Sequence, residues 1–152
     1  MKIIAHTMRY MGGVLLNPGW DLRNYADTDY LAYAAAYNDC FSDMRRALGL
    51  TPIYCCDNRE TLLSKAEDIF VLKVKGELAG SVAIYGSEID DLFVAKNHQR
   101  KGYGQGLLRF AVARMQQGGV CPITLHVADW NRNAVRLYQK NGFQVIHTEV
   151  VR

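Results

Sequence analysis

Residues Glu88 to Leu108, EIDDLFVAKNHQRKGYGQGLL, form the part of the chain whose residue types and spacing most clearly suit chemistry. An apolar run (Leu92, Phe93, Val94) passes through a basic turn (Lys96, His98, Arg100, Lys101) into three alternate glycines, Gly102, Gly104 and Gly106, and then into a helical pattern. This order implies a strand, a loop and a helix start. Glycines at such a junction let backbone N–H groups approach a ligand closely, and the unsatisfied donors and dipole of the first helical turn favour an anion there. A phosphate site is the natural reading, and the spacing excludes two common kinds. The nucleoside-triphosphate loop needs four residues between its glycines and then Lys-Ser/Thr, and no such string occurs. The dinucleotide fingerprint needs G-x-G-x-x-G and an acidic residue about 20 positions on; here the glycines run G-x-G-x-G with no such acid.

The segment resembles the acetyl-CoA loop of the GNAT superfamily of N-acetyltransferases, Gln/Arg-x-x-Gly-x-Gly/Ala directly after a strand, through Gln99, Gly102 and Gly104. Residues Asn131 to Phe143, NRNAVRLYQKNGF, resemble the superfamily's other signature, Asn-x-x-Ala-x-x-Leu-Tyr followed by Gly-Phe. Asn131, Ala134, Leu137, Tyr138, Gly142 and Phe143 all fit. The motifs stand in the family's order with a helix and a strand between them. The resemblance therefore covers about Ile69 to Val150 and leaves out the first 50 or so residues.

The resemblance implies acetyl-CoA as co-substrate, no metal, and a primary amine of a small molecule, peptide or protein as acceptor. On it, the backbone of Leu92, Phe93 and Val94 would bond the pantetheine arm. The N–H groups from Arg100, Lys101, Gly102 and Tyr103 to Gly104 and Gln105 would face the pyrophosphate. Asn131 matches a side-chain contact to the cofactor, and it is also a good helix cap. Tyr138 stands where the family places the tyrosine that hydrogen bonds the CoA sulfur; its alternative is a core aromatic.

Amine attack on a thioester is opposed by protonation, since an alkylamine of pKa about 10.4 costs roughly 4.6 kcal/mol to deprotonate at pH 7. Two residues compete as base. Glu88 matches the glutamate of the protein-lysine branch of the superfamily. His126, in LHVADW, matches the position of the catalytic glutamate in the ribosomal-protein N-terminal branch, and an imidazole suits proton abstraction at neutral pH. Asp90, on the same strand face as Glu88, is a third candidate, and water relayed to backbone carbonyls is a fourth. Glu88 could equally be a solvated strand-end carboxylate, and His126 the outward residue between Leu125 and Val127.

The elements that must position these groups follow from periodicity and punctuation. Lys2 to Met11 reads as a first strand, followed by turn formers Gly12-Gly13 and Asn17-Pro18-Gly19. Asp27 or Thr28 can cap a helix carrying Tyr30, Tyr33, Ala34 and Tyr37 on one face, followed by Phe41, Met44, Ala47 and Leu48; Gly49 ends it, and Asn38-Asp39 marks a break that would make it bent or double. The tyrosine stripe has two readings: one wall of the acceptor pocket, which the first helices form in related folds, or, as the stronger reading, a face packed on a sheet with hydroxyls at the rim. Asp57 or Asn58 with Glu60 begins a short helix to Ala66. Strands follow at Ile69–Lys75, Leu78–Tyr85 and Glu88–Val94, joined by tight turns. After the glycine loop come an amphipathic helix ended by Gly118-Gly119, a strand at Ile123–Val127, a helix at Asn131–Lys140 and a last strand at Phe143–Val150. The strand at 123–127 is reached by a crossover helix, hence parallel to the strand before the loop.

These 152 residues suit one α/β (α+β) domain over 1–152, a mixed, mostly antiparallel sheet flanked by helices. No apolar run is long enough to span a membrane, and the start lacks the apolar core of a signal peptide, so the expectation is a soluble cytoplasmic protein without membrane partners. Cys40, Cys55, Cys56 and Cys121 form no C-x-x-C pair, which suggests neither a zinc site nor a disulfide framework. A formal net charge of +3 is mild and disfavours nucleic acid; the cluster from Lys96 to Lys101 suits a phosphorylated cofactor instead. A homodimer is compatible with the sequence. The competing functional class is a non-catalytic acyl-CoA sensor or interaction module that keeps the cofactor fold.

Overall fold

The meander expected between residues 69 and 94 is present as β3 (Ile69–Val74), β4 (Glu77–Tyr85) and β5 (Glu88–Val94). The turn at Lys75-Gly76 joins the first two, both residues taking positive φ (52° and 80°), the conformation a tight hairpin requires. The computed structural model describes residues 2–17, 19–20, 22–54, 56 and 58–151. Pro18, Cys55 and Asp57, used above as a turn former, a free thiol and a candidate cap, lie outside the described residues.

β1 (Ile4–Tyr10), the two-residue β2 (Arg23–Asn24), β6 (Thr124–Ala128) and β7 (Phe143–Val150) complete a seven-stranded sheet ordered β2-β3-β4-β5-β6-β1-β7. Among the described residues only β5 and β6 pair in parallel; the other neighbours are antiparallel. The first strand lies between β6 and β7, so the end of the chain closes on its beginning.

Helices cover both faces. α3 (Tyr103–Gln117) and α4 (Arg132–Lys140) close one face over Met8, Val82, Ile89, Leu125 and Phe143; α1 (Tyr30–Ala47) and α2 (Arg59–Ser64) close the other over Ile69, Val71, Ala83 and Phe93. A strand covered on both sides needs small residues where helices approach. β4 supplies Ala79, Gly80, Ser81 and Ala83, all buried. A Cβ at Gly80 would lie 2.8 Å from the Phe93 carbonyl oxygen and 2.9 Å from Leu107 of α3, closer than real Cβ contacts come.

α1 runs unbroken through Asn38 and Asp39, contrary to the expected break. Tyr33, Tyr37 and Phe41 all pack on Phe93, with ring centroids 5.2, 5.7 and 6.3 Å away. Such pairs contribute about 0.5–1.5 kcal/mol each beyond area burial, enough to hold the two polar residues helical. The expected cap is also different. A short 3₁₀ turn, Asp27–Asp29, precedes α1, and it is the buried Asp29 that accepts from the Ala26 N–H at 2.9 Å while pairing with Arg23 and Lys73. α2 is capped as expected by Asn58, whose Oδ1 accepts from Thr61 N–H at 3.0 Å. Among the described residues no helix is long and apolar enough to cross a membrane, and Cys40 and Cys121 are free thiols.

The three alternate glycines have three different roles. Gly102 takes φ 83° as the N-cap of α3. A Cβ at Gly104 would make ordinary contacts, 3.6 Å to Leu137 and 3.7 Å to Val94, whereas one at Gly106 would overlap the Trp20 ring. Gly106→Ala should therefore destabilise the fold by about 1–3 kcal/mol through overpacking, read as a lower urea midpoint. Gly104→Ala should leave the midpoint unchanged or raise it, since alanine is the better helix former by about 1 kcal/mol. Equal midpoints for Gly106→Ala and the parent would mean that Trp20 does not seat on the helix.

Candidate active site

β5 and β6 begin as neighbours and then separate. Their parallel register holds for two residue pairs, Glu88 with Thr124 and Ile89 with Leu125. Just beyond, Ser81 pairs with Phe93 and Ala83 with Asp90, so Asp91 and Leu92 together oppose Val82; Asp91 takes a left-handed φ of 48°. An extra residue bends the strand that carries it. Here the bend leaves a gap on the β6 side.

The backbone in that gap is partly unpaired. Ala95 N–H donates to Ala79 C=O of β4 at 2.8 Å, so strand alternation turns the polar groups of Phe93 toward β4 and those of Leu92 and Val94 toward the gap. The Val94 carbonyl already accepts from Gln99 Nε2 at 2.9 Å and from the Cys40 thiol at 3.1 Å. Burial pushes that thiol up to about 11, which keeps it protonated and a donor. Gln99, the first residue of the loop motif, thus ties the loop to the end of β5. What the gap offers a ligand is the N–H of Val94 and both polar groups of Leu92.

Two adjoining cavities occupy the gap. One of about 500 Å³ lies beside the glycine loop and is lined by Val94, His98, Arg100, Gly102, Tyr103 and Gly104. The other, about 220 Å³, extends toward the paired strand ends and is lined by Tyr37, Asp90, Asp91, His126 and Tyr138. Phe41, Leu92, Asn131 and Ala134 line both. A larger groove of about 750 Å³ between α1 and the β3–β4 hairpin is lined by Lys96 of the basic turn but by none of the loop glycines, Asn131, Tyr138 or the candidate bases.

At the loop, the first bond inside α3 runs from Gly106 N–H to Gly102 C=O at 3.1 Å, and no side chain among the described residues caps the helix. The N–H groups of Tyr103, Gly104 and Gln105 are therefore open, at the positive end of the helix dipole. Arg100, in a left-handed conformation (φ 64°), and Lys101 are exposed beside them. The remaining basic residues of the turn are engaged elsewhere: Lys96 pairs with Asp39 and Asp43 of α1 (3.5 and 3.7 Å), and His98 with Glu77 (3.0 Å). The cluster expected to serve a phosphorylated ligand as a whole is thus reduced to Arg100 and Lys101. Asn131 caps α4, Oδ1 accepting from Ala134 N–H at 3.3 Å, and lines both cavities at the same time.

The two rival bases are in contact. His126 Nε2 lies 3.1 Å from Glu88 Oε1, and Thr7 Oγ1 of β1 lies 3.0 Å from His126 Nδ1. A carboxylate can only accept, so the neutral ring that satisfies both contacts carries its proton on Nε2 and takes the Thr7 hydroxyl at Nδ1. His126 faces the smaller cavity and Glu88 stands behind it. Tyr138 is buried, its hydroxyl makes no hydrogen bond among the described residues, and it lines the same cavity. Burial and the nearby Asp90 charge push its phenol up to about 12.

Two further residues of the cavity are not among the expected site residues, although one of them, Tyr37, belongs to the tyrosine stripe. Tyr37 donates to Asp91 Oδ1 at 2.9 Å. Burial, then the adjacent Asp90 charge, raise the Asp91 carboxyl above its ordinary value. Plain alternation would turn Asp91 to the face of Ile89; the bulge re-aims it. Among the described residues no group of three or more His, Cys, Asp or Glu could hold a metal ion.

The profile of the Acetyltransferase (GNAT) family matches residues 30–143. GCN5-related N-acetyltransferase 6, chloroplastic, of Arabidopsis thaliana is 40% identical over 80 residues, which is 50% of this chain and 28% of that protein. This chain spans less than a third of the curated relatives it matches. Among solved structures, the PaiA N-acetyltransferase of Thermoplasma acidophilum in complex with coenzyme A superposes with a TM-score of 0.69 at 19% identity, covering 82% of this chain and 89% of that one. The acetyltransferase YncA of Salmonella typhimurium with acetyl-CoA gives 0.64 at 19% identity, covering 84% and 80%.

Proposed function

This chain belongs to the Acetyltransferase (GNAT) family, and from that premise we propose that it binds acetyl-CoA in the gap between β5 and β6 and transfers the acetyl group to a primary amine. The observation that carries the reading is the coincidence of three features in one groove. Parallel strands separate after two residue pairs, three open N–H groups start α3, and the hydroxyl of a buried tyrosine, without a partner among the described residues, faces the space between. The backbone of Leu92 and the N–H of Val94 would hold the pantetheine arm like an added strand. The N–H groups of Tyr103, Gly104 and Gln105, with Arg100 and Lys101, would hold the pyrophosphate, and the free Nδ2 of Asn131 is a further donor. Coenzyme A and acetyl-CoA in the two solved relatives support this assignment.

Acetyl-CoA supplies a thioester; the protein's part is to remove a proton from the amine and to stabilise the departing sulfur. His126 and Glu88 act as one unit in the first task. The carboxylate accepts from Nε2–H and stabilises the imidazolium once the ring is protonated, and since Nδ1 already accepts from the Thr7 hydroxyl, the amine's proton reaches it through that hydroxyl. Tyr138 serves the second as a hydrogen-bond donor rather than as an acid. With its phenol near 12 and a thiol near 8.5, complete proton transfer would be uphill by about 5 kcal/mol.

Removing the hydroxyl alone tests this role. Tyr138→Phe should slow the single-turnover rate roughly 10- to 1000-fold while acetyl-CoA affinity stays within a few fold. A parental rate would reduce Tyr138 to packing. For the base, Glu88→Gln and His126→Gln should each slow the same step, and the double variant should be no slower than the worse single one, because residues that act as a unit are not additive. Losses that multiply would mean the two work separately, and no loss in either would favour a water relay.

A further inference from the structure

A carboxylate withdrawn from water ordinarily has a cation in contact; at Asp91 the positive charge is that of Lys65, which faces it without forming an ion pair among the described residues. Asp91 is half-buried and has tyrosine hydroxyls on its oxygens, Tyr37 at 2.9 Å with Tyr85 alongside. Behind it lies a separate cavity of about 130 Å³ walled by Tyr33, Tyr37, Tyr85, Leu62 and Lys65. Tyr37 and Asp91 line both this cavity and the one beside Tyr138. The space equals about four waters at roughly 30 Å³ each, enough for a short alkylammonium end.

The walls already suit an ammonium. Lys65 Nζ lies over the Tyr85 ring, 5.3 Å from its centroid, within the range of cation–π attraction. Lys65 is exposed, so its side chain can leave for solvent. Tyr33 lines the cavity, and its hydroxyl is buried without a hydrogen-bond partner among the described residues. The other charges facing Asp91 are Asp90 and Lys65.

We propose that this second cavity receives the distal ammonium of a diamine acceptor, with Asp91 as its counter-ion and the tyrosine rings as its walls. The other amino group then lies in the adjoining cavity beside His126 and Tyr138. The inference rests on the acetyl-transfer reading above. In the reaction a nitrogen–carbon bond forms between that unprotonated amine and the acetyl carbon, the carbon–sulfur bond breaks, the amine's proton passes through His126 to the thiolate, and the distal ammonium is unchanged. A monoamine of equal length would leave Asp91 unpaired and should be the poorer acceptor.

The test uses acetyl-CoA with 1,4-diaminobutane and n-butylamine. The parent should favour the diamine by roughly 10-fold or more in kcat/KM, mainly through KM. Asp91→Asn should collapse that ratio toward one. Lys65→Met, which removes the resident cation from an exposed position, should tighten calorimetric binding of 1,4-diaminobutane to the CoA complex. A merely structural role for either residue would not move the two variants in opposite directions. A ratio near one in the parent, a ratio preserved in Asp91→Asn, or weaker diamine binding in Lys65→Met would each overturn the inference. Acetyl-CoA titration of the parent separates the two readings: no binding overturns acetyl transfer itself, whereas binding without diamine preference overturns only the acceptor assignment.

Discussion

The active-site architecture depends on one incomplete pairing. β5 and β6 share two residue pairs and then part, because β5 spends an extra residue at Asp91 and bends. Were the strands paired to their ends, Leu92 and Val94 would satisfy their backbone groups against β6 and no groove would exist. Unpaired backbone polar groups away from water are costly, so a sheet that leaves them open invites something extended to fill the gap. The surroundings protect the opening from collapse. Gln99 and Cys40 hold the Val94 carbonyl from one side, and the Tyr33, Tyr37 and Phe41 face of α1 holds Phe93 from the other.

The same bend distributes charge. It places Asp90 beside Tyr138 and turns Asp91 to the boundary between two cavities. On the proposed reading the gap therefore joins two chemistries: a basic end at Arg100, Lys101 and the start of α3 for phosphate, and an acidic, tyrosine-walled end for an amine. Lys96 and His98 contribute to the first only indirectly, by anchoring the turn to α1 and β4.

Much of this was legible in the sequence where the signal is local. The meander, the glycine loop, both C-terminal helices and the cap at Asn131 follow from turn residues, periodicity and spacing within a few positions of one another. What was not legible depends on distant contacts. Nothing near residues 4–10 says that they will lie between β6 and β7, more than 100 positions away. Tyr37 looked like any member of a packing stripe until the bulge brought Asp91 to its hydroxyl. Gly106 looked like a third phosphate glycine, and its requirement comes instead from Trp20, in a loop with no periodic signal. Glu88 and His126 looked like rivals because sequence cannot report that two adjacent strands put them 3.1 Å apart.

The central claim is that the unpaired edge of β5 is completed by acetyl-CoA, and residue-resolved amide hydrogen exchange with and without the compound tests it most directly. The amides of Val94, Tyr103, Gly104 and Gln105 should slow on binding. That of Phe93, already turned toward β4, should not change. Binding that leaves the Val94 amide exchanging as before, or that slows amides only outside the β5–β6 gap and the start of α3, would contradict the account.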